Sequence, residues 1–257
     1  MSSTSATDLE EEEIRHILHA ADSLVGRGGR TMLVKILKGS RDKKLLELGL
    51  NDNVAYGYYH VITMERITEK VDWMIRHQFL EIEHQGDMPV IVFTERGWII
   101  QRDQAAGLLL RQWDQWVQGN ELRQDLSYLK DRNRGMILLF LQKLAETGNT
   151  AYIPLLEQWA EVDYQKVKRA IRQVIDHLLS GKGGPLSLED APVDDVAEQL
   201  VVYPRTAERL KCWECGKRFD WPVEEQDFFR MKGWDPPKRC EPCREQRRRT
   251  KEGWGFF

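Results

Sequence analysis

All four cysteines of this 257-residue chain fall in one C-terminal cassette. They form Cys212-Trp213-Glu214-Cys215 and, after 24 intervening residues, Cys240-Glu241-Pro242-Cys243, followed by Arg244-Glu245-Gln246-Arg247-Arg248-Arg249. A Cys-x-x-Cys turn points two sulfurs at one centre, and two such turns supply the four soft ligands of a tetrahedral zinc ion. The expectation is one structural Zn2+ held by Cys212, Cys215, Cys240 and Cys243, with no open position for catalysis. Two disulfides in a small secreted domain are the alternative. Against them, the chain begins Met-Ser-Ser-Thr-Ser and runs into Glu10-Glu11-Glu12-Glu13 without the apolar stretch of a secretory leader. The rest of the chain holds no cysteine, as expected in a reducing cytoplasm. A redox motif needs one Cys-x-x-Cys rather than two. About 50 residues bury little core, so a zinc ribbon over 201–257, ending in a basic tail, should fold around its metal.

The hydrophobic fraction of 41% suffices for packed cores, and no uncharged apolar run approaches the ~20 residues that span a bilayer. A soluble, cytoplasmic protein without a membrane partner is expected. The net charge of -3 is a sum over unequal parts. Residues 1–13 carry five acids and no base, and 181–200 five acids against one Lys. Residues 26–44 carry seven Lys/Arg against one Asp, and 238–251 seven against two Glu. Two basic patches set apart by acidic stretches point to a polyanion partner at particular faces, with plain solvated charge as the alternative.

Along the chain, residues 1–13 read as a disordered acidic tail. Ile14, Ile17, Leu18, Ala21 and Leu24 recur at helical spacing, and Gly26-Arg27-Gly28-Gly29-Arg30 ends that helix. Thr31 is expected to cap a second helix with Leu33, Val34, Ile36 and Leu37 inward. Lys38-Gly39-Ser40 breaks it and a short helix starts at Lys43. Thr63 to His77 is amphipathic, and the runs Phe79 to Glu83 and Val90 to Phe93 flank the turn His84-Gln85-Gly86-Asp87. Helices followed by a hairpin make a winged helix over 14–100, with the third helix the usual groove reader and the hairpin the wing.

Several stretches of this region follow an order that resembles the RQC domain, the winged helix C-terminal to the motor of RecQ helicases. They are Lys38-Gly39-Ser40 with Arg41-Asp42-Lys43-Lys44-Leu45, Val54-Ala55-Tyr56-Gly57, Ile75-Arg76-His77-Gln78-Phe79-Leu80 and Phe93-Thr94-Glu95-Arg96-Gly97. The resemblance implies contact of Lys38, Gly39 and Ser40 with duplex phosphates, with Lys43 and Lys44 nearby, and a wing that separates strands. Arg27, Arg30 and Arg41 complete the candidate surface. On physical grounds Gly lets an amide approach an oxyanion, Ser adds a hydroxyl and Lys adds charge. The alternative is that Gly39-Ser40 caps a helix junction. Two departures stand out. No Gly-x-x-x-x-Gly-Lys-Ser/Thr occurs, so the chain is not expected to be a helicase. The wing tip lacks an aromatic wedge, for which Met88 is the substitute, and Asp87 beside it repels phosphate.

Residues 101–180 read as a helical domain, and Leu141 to Leu156 resembles a HEAT-type repeat with Pro154 at the start of its second helix. Residues 181–200 read as a linker. In the ribbon, Cys215-Gly216-Lys217-Arg218-Phe219 and Pro236-Pro237-Lys238-Arg239-Cys240-Glu241-Pro242-Cys243-Arg244 resemble a small family of bacterial zinc ribbons. Its aromatics, Trp213, Phe219, Trp221, Phe228, Phe229 and Trp234, serve a mini-core or, where exposed, stack bases. The six histidines show no metal spacing and no nucleophile pattern is visible, so no enzyme is expected. The expected fold class is mainly α with small β: winged helix, HEAT-like helical middle and C-terminal zinc ribbon, an arrangement that resembles stand-alone bacterial RQC-minor-type proteins. The expected partner is duplex or branched DNA held with low sequence specificity, with Arg244, Arg247, Arg248 and Arg249 as an auxiliary contact. A protein–protein adaptor is the alternative, and RNA binding through the ribbon a third reading. Lys38→Ala with Ser40→Ala is expected to weaken duplex binding without unfolding the protein.

Overall fold

The computed structural model describes residues 8–181, 184–192 and 194–252, with side chains as far as residue 250. They form two compact units: the chain up to Gly97 together with the chain from Val201 onward, and Trp98–Leu200.

The first unit opens with α1 (Glu11–Asp22) and α2 (Arg30–Lys38), followed by the short α3 (Lys43–Glu47) and α4 (Met64–Arg76). The acidic run assigned to a disordered tail is instead the start of α1; the first seven residues lie outside the described ones. Carboxylates there face the positive end of the helix dipole, and Glu13 accepts the Glu10 N–H at 3.3 Å. Ile14, Ile17 and Leu18 of α1 are buried, as are Leu33, Ile36 and Leu37 of α2 and Ile67, Val71 and Met74 of α4. The α2 N-cap is Gly29, two residues before the expected Thr31. Thr63 caps α4, its hydroxyl accepting the Arg66 N–H.

β1 (Leu80–Gln85) and β2 (Met88–Phe93) pair antiparallel, with Gln85 opposite Met88 and Gly86 at positive φ in the turn. The glycine-rich segment after α1 is more than a helix stop. Gly26 N–H donates to the Ile91 carbonyl at 3.1 Å and Ile91 N–H to the Gly28 carbonyl at 2.9 Å, so residues 26–28 lie along β2. A Cβ on Gly29 would stand 2.7 Å from the Pro89 carbonyl oxygen, so this approach requires glycine.

In the second unit α5 (Glu95–Gln118, its first three residues in the first unit), α6 (Arg134–Thr147), α7 (Ile153–Val162) and α8 (Gln165–Leu179) enclose Trp113, Phe140, Tyr152 and Trp159. Pro154 lies in the first turn of α7, where its missing N–H costs nothing. Lys166, Arg169 and Arg172 lie off the buried face of α8, formed by Val167, Ala170, Ile171, Val174 and Leu178. Among the described residues of the segment read as a linker by composition, several pack into this unit before the short α9 (Val196–Leu200). Leu188 is buried, the Leu186 carbonyl accepts from Gln142, and Arg102 pairs with Asp194 at 2.5 Å. Its polar composition masks a buried leucine and a largely buried ion pair.

The chain re-enters the first unit at Val201 and forms β3 (Glu208–Lys211), β4 (Arg218–Trp221), α10 (Val223–Lys232) and α11 (Glu241–Glu252). The buried Trp221 meets Phe229 edge to face at 5.8 Å, a mini-core of the kind expected of the aromatics, and the half-exposed Trp234 meets Phe229 at 5.7 Å. The whole is mainly α with small β.

Candidate nucleic-acid interface and metal centre

The metal centre is built from a turn and a helix start. Cys212 and Cys215 stand in the knuckle between β3 and β4, which Gly216 closes at positive φ with its N–H on the Cys212 carbonyl at 3.0 Å. Cys240 directly precedes α11 and Cys243 lies in its first turn. The second pair is thus carried by a helix, not by the second knuckle of a ribbon; the Arg-rich sequence after it continues that helix. All four Sγ atoms lie within 4.8 Å of one another, and Cys215 and Cys240 are 3.8 Å apart. A tetrahedron with Zn–S bonds of about 2.3 Å has edges of about 3.8 Å, so the four sulfurs fit one structural zinc. The Cys215 N–H foremost holds the Cys212 thiol down to about 6, whereas hydrogen bonding to Cys240 and the other sulfurs pushes Cys243 up to about 12. A dication removes that conflict by taking all four as thiolates.

This module is docked on the winged helix. Arg230 donates to the Arg76 carbonyl at the end of α4 at 3.3 Å. Arg96 bridges the His77 and Val201 carbonyls, each at 2.8 Å, and its guanidinium lies 3.8 Å from the Phe79 ring centre. At Gly233 a Cβ would come within 2.4 Å of the Ile82 carbonyl oxygen of β1, so the contact is backbone to backbone.

Between the start of α2, the hairpin tip and α10 lies a basic cleft. Its walls include Arg27, Arg30, Lys35, Lys44, Met88 and Lys232, with Asp87 as their one carboxylate. Arg30 is paired with Asp72 at 2.8 Å and Lys35 with Asp42 at 2.7 Å. Arg27, Lys44 and Lys232 have no carboxylate partner among the described residues. The structure thus brings Arg27, Arg30, Lys44 and Met88 of the candidate set together, and Met88 is half exposed at the tip.

The other candidates stand differently. Lys38 directs its ammonium to the His60 and Ile62 carbonyls at 2.8 and 2.7 Å, tying α2 to the turn before α4. The Gly39 and Ser40 amides donate to the Ile36 and Lys35 carbonyls, closing α2 with Gly39 left-handed. A Cβ on Gly39 would stand 3.0 Å from the Gly57 Cα. The backbone donors invoked for phosphate are therefore occupied, and the capping alternative accounts for the motif; the Ser40 hydroxyl has no hydrogen-bond partner among the described residues. Arg41 and Lys43 are exposed, Lys43 at 3.7 Å from Glu47. On α11, Arg244 pairs with Glu225 and Arg249 with Glu245, while Arg247 and Arg248 are exposed without partners among the described residues. Along α4, Arg66 pairs with Glu69 and Lys70 with Glu13.

Comparison with known proteins matches residues 7–109 to the RQC domain family. Residues 7–109 are an RQC domain. Residues 208–252 match a family described as "Probable treble clef domain", in keeping with a hairpin knuckle and a helix sharing one metal. The RQC region is similar to the ATP-dependent DNA helicase RecQ of Bacillus subtilis (strain 168), 27% identical over 85 residues. That match covers 33% of this chain and only 14% of the helicase's length. No solved structure matches the chain. RQC and treble-clef domains are binding modules, and together they support a nucleic-acid-binding role. Among the described residues no helix is long and apolar enough to cross a membrane.

Two cleft residues escaped the sequence reading. Lys35 lies inside the basic run 26–44, which was a usable signal. Lys232 ends a helix about 200 residues from Arg27, and no local pattern links the two.

Proposed function

We propose that the chain is a non-enzymatic protein that holds duplex or branched DNA by its backbone through the RQC domain. The observation that carries the reading is the cleft in which Arg27 and Lys44 stand without carboxylate partners beside the hairpin tip. Unpaired cations neutralise phosphates and release counterions, so affinity falls steeply with salt. The paired cations of α4 favour low sequence specificity, because an Arg or Lys already holding a carboxylate is a poor reader of base edges. Arg41, Lys43, Arg247 and Arg248 extend the positive surface as auxiliary contacts.

The test is a titration of labelled duplex and forked DNA with the Arg27→Gln, Lys44→Gln double variant. Affinity should fall several-fold, and the slope of log K against log salt should drop by nearly two, at about 0.9 per lost phosphate contact. Unchanged affinity and slope overturn the cleft as the binding site. Failure of the parent chain on duplex, forked and single-stranded DNA at low salt replaces the DNA reading with that of a protein adaptor.

A further inference from the structure

The outer end of the β3–β4 hairpin carries a group that the RQC reading does not use. Trp213, between the two cysteines of the knuckle, keeps 72% of its surface exposed, more than any other Phe, Tyr or Trp among the described residues. The fold holds it in place: its amide donates to the Lys238 carbonyl at 3.0 Å, and the Lys238 ammonium lies 5.1 Å from the ring centre. Trp221 and Phe229 already form the mini-core, so Trp213 is not needed for it.

The surrounding charge is one-sided. Lys211 and Arg218 are direct partners in the β3–β4 register, both exposed, and Lys217 precedes Arg218 in the knuckle. Like charges directly opposite across an antiparallel pair oppose its formation. None of Lys211, Lys217, Arg218 and Lys238 has a carboxylate partner among the described residues, and the knuckle's own acid, Glu214, is held by Arg239 at 2.7 Å. An exposed indole with Lys238 at its ring, on a hairpin end that carries the uncompensated Lys211, Lys217 and Arg218, fits a ligand with a flat π-system and regularly spaced anions. Paired bases in a duplex hide their faces in the stack, whereas an unpaired strand presents them.

We propose that the zinc knuckle is a stacking site for single-stranded nucleic acid, with Trp213 taking an unpaired base and Lys211, Lys217 and Arg218 its flanking phosphates. Any base stacks, so the site is sequence-tolerant. The chemistry is shared by DNA and RNA strands, and the site stands independently of the cleft by the wing.

The experiment uses the full zinc-loaded chain and fluorescence anisotropy with labelled oligo-dT, oligo-rU and a duplex. Trp213→Ala should weaken single-strand binding at least about fivefold, the lower end of stacking on one aromatic. Trp213→Phe should retain most of it, and duplex affinity and zinc content should stay unchanged in both. Lys211→Gln with Arg218→Gln should lower the single-strand salt slope by about 1.4, at about 0.7 per contact. A loss confined to oligo-rU or to oligo-dT supports the site and assigns its strand type. The proposal is overturned if Trp213→Ala binds strands like the parent, if Trp213→Phe is as weak as Trp213→Ala, or if the parent binds neither strand.

Discussion

Glu13 ties two helices with one carboxylate, accepting from Tyr59 at 2.8 Å and from Lys70 of α4 at 2.6 Å. Burial opposes its ionisation, but the hydrogen bonds from Lys70 and Tyr59 outweigh it and hold its pKa below the ordinary value of 4.5. A depressed pKa contributes stability that is present above the unfolded-chain value and lost as pH falls through the folded one. Glu13→Gln should therefore cost about 1–2 kcal/mol at neutral pH, a gap that narrows below about pH 4.5. Urea unfolding at several pH values reads both. Lys38 makes a second case. Its ammonium serves two backbone carbonyls, so Lys38→Ala with Ser40→Ala should lower the melting temperature as well as any affinity, contrary to the expectation from sequence. A loss of affinity at unchanged melting temperature would return Lys38 to a purely ligand-facing role. Lys38 shows why the residue scale was only half legible: the basic Gly-Ser stretch was visible, but a lysine looks the same in sequence whether it faces phosphate or a carbonyl 22 residues away.

At the scale of elements, α4 was readable from its amphipathic period, because that signal is local. Its role was less so. With Arg66 on Glu69 and Lys70 on Glu13, Arg66→Ala should change duplex affinity by less than about twofold, in contrast to Arg27→Gln with Lys44→Gln. Anisotropy titrations of the variants side by side decide this. The contact of α10 with β1 is tighter than any pattern suggested. Gly233→Ala places a Cβ 2.4 Å from the Ile82 carbonyl oxygen at a residue with φ +63°, and should destabilise the first unit by about 1–3 kcal/mol. Hydrogen exchange should report it as lost protection in β1 and α10.

For the whole molecule, the treble clef and the winged helix share one compact unit although about 100 residues separate them in the chain. Zinc is thereby coupled to the winged helix. Chelation should unfold residues 208–252, since the segment has little core beyond Trp221 and its neighbours, and should also lower protection in β1 and at the end of α4. The core around Trp113, Phe140 and Trp159 should keep its protection. Exchange monitored by mass spectrometry separates these regions. Loss confined to 208–252 would show that docking adds nothing to the winged helix.

The sequence by itself determined whatever depends on near neighbours: helices from a 3.6-residue period, the hairpin from its Gly86 turn, and the metal from cysteine spacing. It also marked the basic run 26–44 and, through the order of its motifs, the RQC domain. Pairs such as Arg66–Glu69 and Arg249–Glu245 lie one helical turn apart and are legible in sequence. Tertiary structure decided the pairs between residues distant in sequence, as with Arg30 and Asp72 or Arg244 and Glu225. It also decided that the second cysteine pair sits at a helix start, that Leu188 and Asp194 of the acidic stretch pack, and that Lys232 lines the same cleft as Arg27. In each case a side chain's electrostatic state or an element's burial is set by what the fold brings within a few ångströms of it, and local periodicity carries no record of that.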